Sequence, residues 1–257
     1  MKSQIKIFEA NKKDGVMSRN KIFYKEGLTQ EEVNEIFKET RIKLGKKYGF
    51  DGLKIIQAVQ KNNLNKVNYP DGKYINIKEK KLTKDDYWYL NLEADILIIS
   101  NEYKGIVVGN MCADCPIVIA EDRKKGVTAI AHCGAAYIDR NLPSQIIEAL
   151  QKEYKSNVDD IYVYISSGAK KENFIYDTYP HWATNKEVWK DCIEEENDKY
   201  KIDMYKAILK QLTDKKIKHI EINKIDTITN KDYASHYCRI RGNVEKSGQN
   251  FVGFYYM

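Results

Sequence analysis

Four short apolar runs, at 94–99, 105–109, 115–120 and 126–131, crowd the middle of the chain, and polar or glycine breaks divide them. They are rich in Ile and Val and apolar throughout, the pattern of strands buried in a central sheet. Weaker strand signals lie at 4–9, 20–25, 53–59, 161–165, 217–222 and 250–256. Helical periodicity appears at 31–47, with Thr29 and Glu32 as a capping box and Val33, Ile36, Phe37 and Leu44 on one face. A second helix is expected at 141–155, with Pro143 in its first turn and Ile146, Ile147 and Leu150 facing inward. Two more are expected: 185–197, capped by Thr184 and Glu187, and 204–214, capped by Asp203. The stretch 61–90 is rich in turn formers, with Pro70-Asp71-Gly72 a clear turn. The expected class is α+β with mixed β-sheets. With four prolines, no repeat and no Pro/Gly/Ser-rich linker, one domain over 1–257 is the simplest organisation.

Composition narrows the function. No apolar run approaches the ~20 residues that span a bilayer, and the N-terminus lacks the apolar core of a signal peptide. A cytoplasmic protein without membrane partners is expected. Five cysteines, three of them within residues 112–133, make a poor disulfide framework. The formal charge of +6 comes mostly from Lys scattered among Glu and Asp, with six Arg. Phosphate and base recognition favour clustered basic residues and Arg, so this charge reads as a solvated surface and nucleic-acid binding is not expected.

Chemistry concentrates where two of the central strands meet turns, at Met111-Cys112-Ala113-Asp114-Cys115-Pro116 and Ala131-His132-Cys133-Gly134. If these strands are neighbours, Cys115 and His132 face one another. Three readings follow. Thiolate and neutral imidazole are the usual zinc ligands, and a catalytic zinc takes three protein ligands and one open position. A Cys–His pair can instead be a nucleophile with its base. Both residues can also be ordinary buried core. Cys112-x-x-Cys115 has redox or zinc spacing but no second pair. Asp114 can orient a ligand or move a proton, although an Asp in such a turn more often caps backbone amides. His181 and His219 read as loop and edge residues.

Ala94-Asp95-Ile96-Leu97-Ile98-Ile99, Ala113-Asp114-Cys115-Pro116-Ile117-Val118 and Ala131-His132-Cys133-Gly134 resemble the laccase-domain (YfiH-like) family, older usage for which is multicopper polyphenol oxidoreductase. Tyr200-Lys201-Ile202-Asp203-Met204, Ile225-Asp226-Thr227, Tyr233-Ala234-Ser235-His236 and Ser247-Gly248-Gln249 extend the similarity. The resemblance implies a layered α/β/β/α fold and activity on purine nucleosides, by phosphorolysis or deamination. It also implies one zinc bound by His, Cys and His, with Cys115 and His132 as the second and third ligands. Gln60 stands where the first His is expected, and Gln is a poor zinc ligand. Cys112, Cys133, His181 or His236 are then the candidates to complete a site. Cys133 should point away from His132 if the strand persists. The Trp-Arg that follows His-x-Gly in the family is replaced by Ala135-Ala136, leaving Arg140 to compensate, and the paired arginines of the tail are displaced to Arg239 and Arg241. Copper-dependent phenol oxidation is disfavoured, since multicopper centres need many His and the chain has four. The expected centre is therefore Cys115, His132 and Asp114, with Arg140 and Arg239 toward substrate. Two rival expectations stand beside the nucleoside enzyme: a zinc-free cysteine hydrolase or deamidase using Cys115 and His132, and a binding paralogue that has lost catalysis.

Overall fold

The computed structural model of the chain describes residues 2–18, 20–60, 73–79 and 90–257. The central apolar runs do form strands. Three of them, β5 (Ile96–Ser100), β7 (Ile117–Asp122) and β8 (Val127–His132), lie side by side in one sheet. Flanked by β3 (Tyr74–Asn76), β9 (Ile161–Ile165) and β13 (His219–Ile222), they give the order β13-β9-β7-β8-β5-β3. The fourth run, β6 (Val107–Cys112), crosses to a second sheet with β1 (Ile5–Ala10), β2 (Ile55–Val59), β4 (Leu90–Glu93) and β14 (Asn250–Tyr256), in the order β1-β14-β6-β2-β4. Both sheets are mixed: β7–β8 and β1–β14 are antiparallel, β9–β13 and β2–β6 parallel.

The sheets pack face to face over Ile56, Leu97, Ile99, Val108, Ile117, Ile119, Ile130, Val252 and Phe254. Alternation sends the intervening residues to the outer faces. Val118, Ala129, Ala131 and Val163 meet Ile146, Ile147 and Leu150 of α3 (Leu142–Tyr154) and Ile208 and Leu212 of α5 (Met204–Asp214). Phe8, Ile55, Val107 and Phe251 meet Leu44 of α1 (Gln30–Tyr48). The result is the layered α/β/β/α arrangement, held by area burial of about 1.5–3 kcal/mol per large aliphatic side chain.

Helix signals succeeded where a cap and an apolar face agreed. Thr29 and Glu32 form the capping box of α1, and Val33, Phe37 and Leu44 are buried, while Ile36 turns out to be 40% exposed. Asp203 caps α5 by accepting from Lys206 N. Two elements differ from expectation. The 20–25 segment is no strand: Lys21–Phe23 form a 3-10 turn in which Ile22 is exposed. The expected 185–197 helix is one turn, α4 (Lys186–Trp189), capped by Asn185 rather than by Thr184 and Glu187. Thr184 Oγ1 instead donates to Asp139. After α4 comes a hairpin of β11 (Ile193–Glu196) and β12 (Lys199–Ile202), joined by β10 (Ile175–Tyr176) in a small sheet. Asn197 and Asp198 both take positive φ, 51° and 58°, the geometry of a tight hairpin turn that helix periodicity cannot report. The Pro70-Asp71-Gly72 turn lies outside the described residues. Among the described residues no helix is long and apolar enough to cross a membrane.

Candidate functional site

Antiparallel pairing of β7 and β8 sets the centre of the site. Ile117 lies opposite His132, and the ladder continues one step as Cys133 N donates to Pro116 O at 2.9 Å. Cys115 therefore comes to rest beside Gly134, whose missing side chain matters: a Cβ there would lie 3.3 Å from Cys115 Sγ. Gly134 also opens α2 (Ala135–Ile138), and the Ala135 N–H is hydrogen-bonded to the Cys115 sulfur. Among the described residues no hydrogen bond joins that sulfur to the His132 ring.

Burial governs the electrostatics. It pushes the Cys115 thiol up to about 12, with the charge of Asp114 adding to the effect and the Ala135 N–H opposing it. Burial pulls His132 down to about 4. Near neutral pH the thiol and the imidazole are thus both uncharged.

Asp114 holds the turn. It sits at φ 82°, a left-handed conformation, and is 4% exposed. Its carboxylate accepts from Thr227 Oγ1 at 2.7 Å, Ser235 Oγ at 3.0 Å and Tyr237 N at 2.7 Å, and its carbonyl accepts from Ala169 N. A carboxylate so fully engaged fastens the Cys115 turn to the C-terminal segment.

Gln60 does arrive at the site. From the end of β2 its Nε2 donates to the His132 carbonyl at 2.9 Å. The remedies for a third zinc ligand do not assemble. Cys133 is fully buried on the helix side of the sheet, opposite the face on which His132 pairs with Ile117. Cys112 is buried between the sheets, and burial raises its thiol pKa well above the ordinary value. His181 is exposed, and exposed His236 pairs through Nδ1 with Arg239. Among the described residues no three His, Cys, Asp or Glu gather where a metal ion could sit. Two strong ligands and an amide whose nitrogen is engaged with main chain do not fit a catalytic zinc, which takes three.

The expected substrate arginines divert. Arg239, in α6 (His236–Arg239), turns to His236 at 3.0 Å. Arg140 lies close enough to Asp95 to oppose the upward push that burial gives that carboxyl. What the tertiary structure places near Cys115 instead is an aromatic cluster. Tyr176 packs edge-on to Phe174, Trp182 and Tyr237, with ring centroids 5.2–6.1 Å apart. Burial raises the Tyr176 hydroxyl to about 12, opposed by Arg241 and reinforced by Cys115 and Asp114. No sequence signal marks Tyr176, which sits in a two-residue strand; Tyr237 does directly follow the Ser235-His236 motif.

With this geometry in place, comparison with known sequences is decisive. A family model described as "Multi-copper polyphenol oxidoreductase laccase" matches residues 13–251. The chain belongs to this laccase family. A relative named purine nucleoside phosphorylase, from Clostridium acetobutylicum, is 27% identical over 165 residues, or 59% of this chain. The match spans 63% of that relative, less than two thirds of its length. Among solved structures, YfiH of Bacillus licheniformis superimposes with a TM-score of 0.69 at 16% identity, covering 87% of this chain and 82% of that one. YlmD of Geobacillus stearothermophilus gives 0.68 at 15%, covering 86% and 80%. Protein NMB0706 of Neisseria meningitidis gives 0.62 at 15%, covering 86% and 81%. These likenesses establish the laccase-family fold.

Proposed function

We propose that this laccase-family chain acts on purine nucleosides by phosphorolysis, with Cys115 and His132 as its working pair. The observation that carries the reading is the meeting of the two residues at the adjoining ends of β7 and β8, Ile117 opposite His132 and Cys115 beside Gly134. The clostridial relative named purine nucleoside phosphorylase supplies the substrate class. In this reaction an oxygen of hydrogen phosphate attacks C1′, the C1′–N bond breaks, and the purine leaves with the bonding pair and gains the proton that the phosphate gives up. A neutral imidazole and a protonated thiol serve as hydrogen-bond donors to the departing base, and they do so without repelling phosphate or stabilising it unduly in the ground state. Asp114 keeps Cys115 in place through the C-terminal segment.

A cysteine nucleophile is less well supported. A reactive thiol needs a lowered pKa and a base in contact, whereas burial raises this one and no hydrogen bond joins it to His132.

The test is to incubate purified protein with inosine, guanosine and adenosine, with and without inorganic phosphate, and to follow free base chromatographically. Phosphate-dependent release of base, cut about 10²-fold or more in His132→Ala and Cys115→Ala, is expected. Phosphate-independent release of ammonia from adenosine would replace phosphorolysis with deamination. Inertness toward all three nucleosides would overturn the enzyme reading in favour of a binding paralogue.

A further inference from the structure

Arg241 has a setting unlike that of the other arginines near the site. Its guanidinium lies 3.6 Å from the centroid of the Tyr237 ring and 5.5 Å from that of Tyr176. Among the described residues its hydrogen bonds are long ones, Nη1 to Tyr237 O at 3.3 Å and Nη2 to Ile175 O at 3.4 Å. No carboxylate pairs with it among the described residues, whereas Arg123 is paired with Glu121. The stack is itself anchored. Tyr237 O–H donates to Ile175 O at 2.6 Å, and Tyr237 N donates to Asp114, the residue preceding Cys115.

An exposed guanidinium that no carboxylate pairs with among the described residues, held over the ring of Tyr237, whose backbone N–H bonds Asp114, presents a planar fork of N–H donors. Such a fork suits the oxygens of a phosphoryl group, which it can bind through two parallel hydrogen bonds. We infer that Arg241 is the anchor for a phosphoryl dianion beside Cys115, with Tyr237 as the platform that positions it. The inference rests on the proposed phosphorolysis for its substrate, inorganic phosphate; a nucleotide 5′-phosphate offers the same chemistry.

Calorimetric titration of the full chain with inorganic phosphate, and separately with AMP, tests it in wild type, Arg241→Gln and Arg241→Lys. Thermal melts confirm that each variant is folded. Phosphate affinity should fall about tenfold or more in Arg241→Gln and be partly retained in Arg241→Lys, because charge survives there without the bidentate fork. In turnover assays the KM for phosphate should rise in Arg241→Gln while that for nucleoside holds. Binding of AMP but not phosphate, lost in Arg241→Gln, would assign the anchor to a nucleotide. If Arg241→Gln binds both ligands as wild type does, or wild type binds neither, the inference fails even if nucleosides are cleaved. Arg241-dependent phosphate binding without turnover would keep the anchor and remove the proposed reaction.

Discussion

Gln60 Nε2 donates a 2.9 Å hydrogen bond to the main-chain carbonyl of His132, tying the residue that follows β2 to the strand end that carries the imidazole. The position where a metal-binding His was expected thus acts as a link between the two sheets.

Restoring the ligand should restore the metal. Gln60→His puts imidazole beside Cys115 and His132, completing three strong ligands. Elemental analysis should find about one zinc per chain in this variant, lost on adding Cys115→Ala, and substoichiometric zinc in wild type. Equal, Cys115-dependent zinc in both proteins would show that Gln60 is no obstacle to the site.

Asp114→Asn should loosen the C-terminal segment. One of the oxygens that accept from Thr227, Ser235 and Tyr237 becomes an NH₂ group that cannot accept. Losing a charge-assisted bond in a buried setting costs about 1.5–3 kcal/mol. Urea denaturation should show that drop, and a midpoint equal to wild type would contradict the clamp.

Gly134→Ala should separate catalysis from stability. The new Cβ would stand 3.3 Å from Cys115 Sγ, so the sulfur must give way by a few tenths of an ångström. A stability cost of about 1 kcal/mol is expected from the crowding, with base release slowed up to about 10²-fold by misplacement of the thiol. Unchanged turnover would mean that the position of Cys115 does not matter to the reaction.

Lys170 predicts a pH signature away from the Cys115 centre. Its ammonium sits 3.2 Å from the centroid of the Tyr205 ring and donates to Asn223 O. Burial lowers its pKa from 10.5 to about 8, against the opposing charge of Asp226. Between those two values the unfolded lysine keeps a proton that the folded one has released, so stability rises with pH across that window and is flat in this contribution below it. Lys170→Met should remove that part of the rise in denaturation midpoints measured from pH 7 to 10. An identical pH profile in the variant would show that the lysine is not perturbed.

The sequence by itself determined the strands of the middle, the helices that begin after Thr29 and Asp203, and the place of Cys115 and His132 at strand ends. Each of these is written locally: unbroken Ile/Val runs demand burial on both faces, Thr29 and Asp203 stand where helix N-termini need acceptors, and the Ala-Asp-Cys-Pro and His-Cys-Gly turns adjoin apolar strands. The tertiary structure decided what surrounds them. Only pairing across β7 and β8 sets Cys115 by Gly134, and only the packing of the C-terminal segment brings Thr227, Ser235 and Tyr237 onto Asp114. Tyr176 and Arg241 reach the same place from segments 65 residues apart along the chain, and the 193–202 hairpin shows its turn in backbone angles rather than in periodicity. Spacing along the chain reports the period of one element at a time, whereas hydrogen bonds and ring contacts between distant segments depend on how the sheets stack, which no local pattern encodes.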